Sequence, residues 1–87
     1  MTISFPNQSR IFEPNRHCVR FWGYDSAFEV SFLVEEDALC LIDRNAPRNE
    51  AGLLDVFDAN RDRILGAARK AYSRRGGRFY ALAVSDF

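Results

Sequence analysis

The 87-residue chain carries one histidine, two cysteines, one methionine and one tryptophan, and each scarcity excludes a chemistry. A structural zinc site takes four Cys or His ligands at short spacing, and His17, Cys18 and Cys40 do not supply them. The two cysteines lie 22 positions apart with no CxxC pairing, so neither a redox dithiol nor a disulfide framework is signalled. Residues 1–5 hold no basic n-region and no apolar h-region, and no run approaches the ~20 apolar residues that span a bilayer. A reducing cytoplasm with both thiols free is the expected setting, with no membrane, metal or cofactor. Excess charge is missing too. Twelve Lys and Arg balance twelve Asp and Glu, which excludes a polyelectrolyte tail or a nonspecific nucleic-acid sponge. With no internal repeat and no long linker, residues 1–87 are expected to form a single domain around one core.

What is present is a soluble-globular composition, 47% hydrophobic and 28% charged, with the charge segregated along the chain. Residues 25–58 hold nine acids against two bases, net −7, whereas residues 59–78 hold seven bases against Asp62, net +6. Acids near helix starts and bases near helix ends complement the macrodipole, and that structural use comes before a binding one.

Residues 17–24 and 27–34 are rich in β-branched and aromatic side chains and read as a hairpin turning at Asp25 and Ser26. Phe21 then faces Val30 and Val19 faces Phe32. Alternation places Val19, Phe21, Phe28, Val30 and Phe32 on one side, the core side, and Cys18, Arg20, Trp22, Tyr24, Glu29 and Ser31 on the other. Acids at 35–37 open a short helix over about 36–43. A long helix follows from Asn49 to about Arg74, ended by Gly76-Gly77, with Leu53, Phe57, Ile64, Ala68 and Ala71 turned to the sheet. Residues 78–85 form a last strand, whose Leu82 joins the core, and Ile3-Ser4-Phe5 a short edge strand halted by Pro6. The expected architecture is α+β: an antiparallel four-stranded sheet with one long and one short helix, in the order β-β-β-α-α-β.

Ile3-Ser4-Phe5, the hairpin Val19-Arg20-Phe21-Trp22-Gly23 with Val30-Ser31-Phe32, the run from Phe57 to Ile64 and the terminal Asp86-Phe87 together resemble the bacterial family of unknown function DUF1488. The resemblance spans nearly the whole chain. It implies a small stand-alone bacterial protein of α+β fold, and no site residue or activity comes with it.

Candidate constellations are weighed from the residues alone. His17 and Cys18 are adjacent on a strand and point apart, so they form no thiol–imidazole pair. Glu35, Glu36 and Asp37 suit a helix start, and Asp58 with Asp62 reads as a solvated ion-paired face. Arg69, Lys70, Arg74, Arg75 and Arg78 are the candidate anion contact, but bases also cap a helix C-terminus. Arg61 breaks the apolar stripe and is expected to meet Asp86 or the terminal carboxylate of Phe87 as a structural pair. Arg20, Trp22 and Tyr24 are the candidate interface, being side chains enriched in binding hot spots and lying on the sheet side away from the long helix. The competing placement has residues 5–16, with Phe5, Ile11 and Phe12, folding over Trp22. The expected function is a non-enzymatic binding or interaction module that self-associates as a homodimer. Weak nucleic-acid or anion binding through the basic helix end is the alternative, and a small enzyme ranks last.

Overall fold

Asp25 and Phe28 pair across a two-residue turn of Ser26 and Ala27, and the hairpin they close is the centre of the sheet. Ser26 takes φ 56, the positive value that tight hairpin turns require. The turn sits one residue later than the composition suggests, so Phe21 meets Phe32 and Val19 meets Val34. That register differs by two residues from the expected one, and a two-residue shift leaves every side chain on its own side.

The computed structural model describes residues 3–6, 8–75, 77 and 79–87, with Arg75 described in its backbone alone. Its strands are β1 (Arg10–Glu13), β2 (Cys18–Asp25), β3 (Phe28–Glu35) and β4 (Phe79–Leu82), and its helices are α1 (Glu36–Ile42), α2 (Glu50–Ala59) and α3 (Arg61–Arg75), followed by a 3-10 turn at Val84–Asp86. The sheet order is β1-β2-β3-β4. The α+β class stands, and three expectations within it are corrected.

First, the sheet is mixed. β1, β2 and β3 form an antiparallel meander, but β4 runs parallel to β3. The chain leaves β3, makes three helices and returns, and such a crossover brings it back in its starting direction.

Second, the long helix is two helices. Asn60 leaves helical geometry at φ −122 and ψ 26, and both its backbone N–H (3.1 Å) and its Nδ2 (3.0 Å) donate to the Val56 carbonyl. A short amide that bonds its own backbone competes with helix continuation, so α2 is capped and α3 restarts with Ile64 N–H on the Asn60 carbonyl.

Third, the edge strand is Arg10–Glu13, not Ile3-Ser4-Phe5; Ser4 contributes only an isolated bridge to Tyr24, made by two backbone bonds of 2.9 and 2.8 Å. Arg10 points inward there because it reaches Asp58 on α2 through two bonds, Nε to Oδ1 at 2.8 Å and Nη2 to Oδ2 at 2.7 Å.

The core lies between the sheet and all three helices. Phe21, Phe32 and Tyr80 form a row of stacked rings across β2, β3 and β4, with centroids 5.2 Å apart at each step. Phe57 closes on Phe21 at 5.2 Å from α2, and Tyr72 meets Tyr80 edge-on at 6.0 Å from α3. Leu53, Ile64, Ala68, Ala71 and Leu82 are buried with them, as their spacing requires. Phe28 is the exception. It has the expected parity but is 56% exposed, because it closes the hairpin at its turn, where the sheet outruns its helical cover.

Candidate functional site: the uncovered side of the sheet

Strand alternation decides what each side of the sheet presents. With Val19, Phe21, Val30, Phe32 and Val34 under the helices, the pairing registers put two rows of other side chains on the outer side. One row is Ile11, Arg20, Leu33 and Ala81, and the next is Trp22, Ser31 and Phe79. Tyr24 and Glu29 follow at the hairpin end, and Glu13, Cys18 and Glu35 lie at the opposite end. None of the three helices covers these rows. Phe79 is 57% and Ile11 49% exposed, Trp22 is half-buried, and Leu33 at the centre is buried by its neighbours.

Arg20 stands in the middle of this surface. Its guanidinium lies 5.8 Å from the Trp22 ring and 3.7 Å from the Glu13 carboxylate, while its Nε has no hydrogen-bond partner among the described residues. Cys18, beside it, is buried, and that burial, reinforced by the nearby Glu13, pushes its thiol up from the ordinary range. A buried protonated thiol is a poor nucleophile. His17 is turned away from it at φ 49, with Nδ1 3.8 Å from Glu36.

The N-terminal segment does not fold over Trp22. Phe5 lies on the helix side, 5.9 Å from Phe21 and 5.8 Å from Phe32, and Phe12 packs against the same core. Gly23 makes this possible: a Cβ there would stand 2.6 Å from the Ser4 carbonyl oxygen and 2.7 Å from the Phe5 ring. With Ile3 and Phe5 drawn to the inner side, neither covers Trp22, which is half-buried.

The chain matches the family described as "Protein of unknown function (DUF1488)" over residues 3–83. It belongs to the DUF1488 family. No curated protein and no solved structure matches the chain. In this DUF1488 protein the surface chemistry must therefore be read from the geometry itself.

The remaining expected sites fall elsewhere. Arg69 stacks over Phe5 at 5.2 Å from the ring centroid and so holds the N-terminal segment, while Lys70 and Arg74 are exposed on α3. The Arg75 side chain and Arg78 lie outside the described residues. Arg61 does not pair with Asp86. It stacks 5.4 Å from the Phe57 ring and donates to the Gln8 carbonyl at 3.4 Å, whereas Asp86 accepts the Ala83 N–H at 2.9 Å. The sheet order explains this, since Arg61 sits by the segment leading into β1 and the chain end follows β4 at the opposite edge.

Asp58 is committed to Arg10, whose hydrogen bonds hold the carboxyl below its ordinary range, so it is no ligand partner for Asp62. Among the described residues no three His, Cys, Asp or Glu side chains come together as a metal site would need. Ile11, Leu33, Phe79 and Ala81 stand on the outer side as well, beyond the residues expected there. Their signal was the alternation of β1, β3 and β4, readable once each strand's neighbour is known.

Proposed function

We propose that this DUF1488 protein is a non-enzymatic interaction module that self-associates as a homodimer through the outer side of its sheet, in a bacterial cytoplasm. The observation that supports it is the outer row of half-buried Trp22 and Ser31 with exposed Phe79, beside exposed Ile11 and half-buried Arg20, on a sheet whose own helices all lie on the other side. An apolar surface holding a tryptophan and an arginine has the composition of a protein contact. Membrane insertion receives no support, because no helix among the described residues is long and apolar enough to cross a bilayer.

Sedimentation velocity over a concentration series tests the reading. Trp22 is the only tryptophan, so its emission should also shift to the blue as copies associate. Trp22→Ala should move the population to monomer while far-ultraviolet circular dichroism stays native. A protein that remains monomeric at several hundred micromolar would remove self-association.

A further inference from the structure

We infer that the two copies meet face to face about a twofold axis that runs parallel to β2 and β3 and passes between them. This rests on the self-association proposed above and specifies its geometry. Such an axis lays each β2 over the second copy's β3, so the in-sheet register fixes which residues meet.

Trp22 is level with Ser31, and across the axis each tryptophan sits over the small Ser31 of the other copy. Ile11, in the row of Ala81, likewise lands over an alanine. Tyr24 is level with Glu29, which brings a phenolic O–H to a carboxylate of the other copy. Arg20 is level with Leu33, and the next outward residue on β3 is Glu35. The arginine therefore lies diagonally beside Glu35 of the second copy, an acceptor for a guanidinium whose nearest acid in its own chain is 3.7 Å away. Large side chains meet small ones, and Arg20 meets an acid.

Charge also rejects the competing axis. A twofold axis lying across the strands would lay β3 on β3 about Phe32 and set Glu29 directly over Glu35. The axis along the strands places Glu13, Glu29 and Glu35 over neutral residues instead. Like charges juxtaposed across a contact work against it. Two sheets stack ~10 Å apart with their strands within about 30° of parallel, so the β2 and β3 contacts persist while the corners diverge. β2 and β3, eight residues each, with β1 and β4, four each, lie ~4.8 Å apart and rise ~3.4 Å per residue, so they present roughly 400 Å² per copy, about 800 Å² in total, below the ~1,200 Å² of stable complexes. The dimer is accordingly a weak, transient one.

Charge exchange in the full-length chain tests the axis. Arg20→Glu alone and Glu35→Arg alone should each weaken homodimerisation at least about tenfold, because both pairs become repulsive. An equimolar mixture of the two variants should dimerise again, since every contact in the mixed dimer is between opposite charges. A second measurement uses a Cys40→Ala background, in which chains carrying Tyr24→Cys should be joined to chains carrying Glu29→Cys by a bifunctional thiol reagent that spans the ~10 Å between stacked sheets, a gap too wide for a direct disulfide. If the wild type dimerises and Trp22→Ala abolishes it, yet neither mixture associates or cross-links, this axis is overturned and the outer-side dimer stands. A wild type that never dimerises overturns both.

Discussion

Gly23→Ala isolates the contact that keeps the N-terminal segment on the helix side. Gly23 is not among the positive-φ residues, so alanine suits its backbone and the added methyl acts by packing alone. That Cβ would lie 2.6 Å from the Ser4 carbonyl oxygen and within 2.8 Å of two Phe5 ring atoms. Real side chains do not tolerate such approaches, so residues 3–6 must move. At stake are the buried Ile3, the half-buried Phe5 and the two Ser4–Tyr24 backbone bonds. Burying a large apolar side chain stabilises by ~1.5–3 kcal/mol, and each hydrogen bond by ~1 kcal/mol net. A released segment regains ~1–2 kcal/mol of backbone entropy per residue, which offsets most of that gross loss. The net cost expected is about 1–3 kcal/mol, the usual range for an overpacked site.

Urea denaturation followed by Trp22 emission measures it, and a double-mutant cycle with Phe5→Ala identifies its cause. Phe5→Ala should destabilise the wild type but add little once Gly23→Ala has displaced the ring, giving a coupling of about 1 kcal/mol or more. Additivity within ~0.5 kcal/mol would refute the reasoning, because the two residues would then act independently.

Phe57 is fully buried against Phe21, so Phe57→Ala should cost ~3–5 kcal/mol, much of the stability of a domain this size; a loss below ~1 kcal/mol in the same titration would take Phe57 out of the core. The Arg10–Asp58 pair is partly exposed, with side chains 32% and 48% accessible, and contributes ~0.2–1 kcal/mol. Because the folded Asp58 carboxyl lies below its ordinary range, that contribution is complete above about pH 4 and is lost as pH falls through the lower folded value. Asp58→Asn should therefore differ in stability from the wild type at neutral pH and converge with it in strong acid; an undiminished gap there would contradict the linkage. Under native conditions a disulfide reagent should titrate Cys40 alone, with the buried Cys18 reacting only after denaturant is added. Two equivalents reacting at once in the folded protein would show that Cys18 is accessible.

Much of the central hairpin was legible in the residues. Period-two alternation separated Val19 and Phe21 from Arg20 and Trp22, and the one-residue error at the turn preserved that separation because it shifts the register by two and parity survives an even shift. The apolar stripe of the helical region was legible too, since Leu53, Phe57, Ile64 and Ala68 keep their spacing through the Asn60 break. The break itself depends on one side chain bonding the Val56 carbonyl, which periodicity cannot register. β1 was missed because a strand holding Arg10 and Glu13 reads as polar until Asp58, 48 residues away, supplies the inward arginine with its partner. The parallel β4 depends on a crossover through three helices, which no local pattern encodes. The outer surface was read from Arg20, Trp22 and Tyr24, but its extent required strand order, because Ile11 and Phe79 reach it from the two edges.

The crossover that returns the chain beside β3 ties the beginning of the molecule to its end. Ser31 pairs with Phe79, Tyr72 bonds Asp25, and Arg10 bonds Asp58, so each of these links joins one half of the chain to the other. No contiguous half contains a closed hydrophobic centre: the β1–β3 meander lacks Leu53, Phe57 and Ile64 above it, and the helices alone have no sheet to cover. Partial folding would leave the Phe21, Phe32 and Tyr80 rings in water, at ~1.5–3 kcal/mol for each large apolar side chain. The described residues are therefore expected to fold as one cooperative unit. Helical signal and Trp22 emission should disappear in one transition, which is the condition under which the free energies above refer to a single equilibrium.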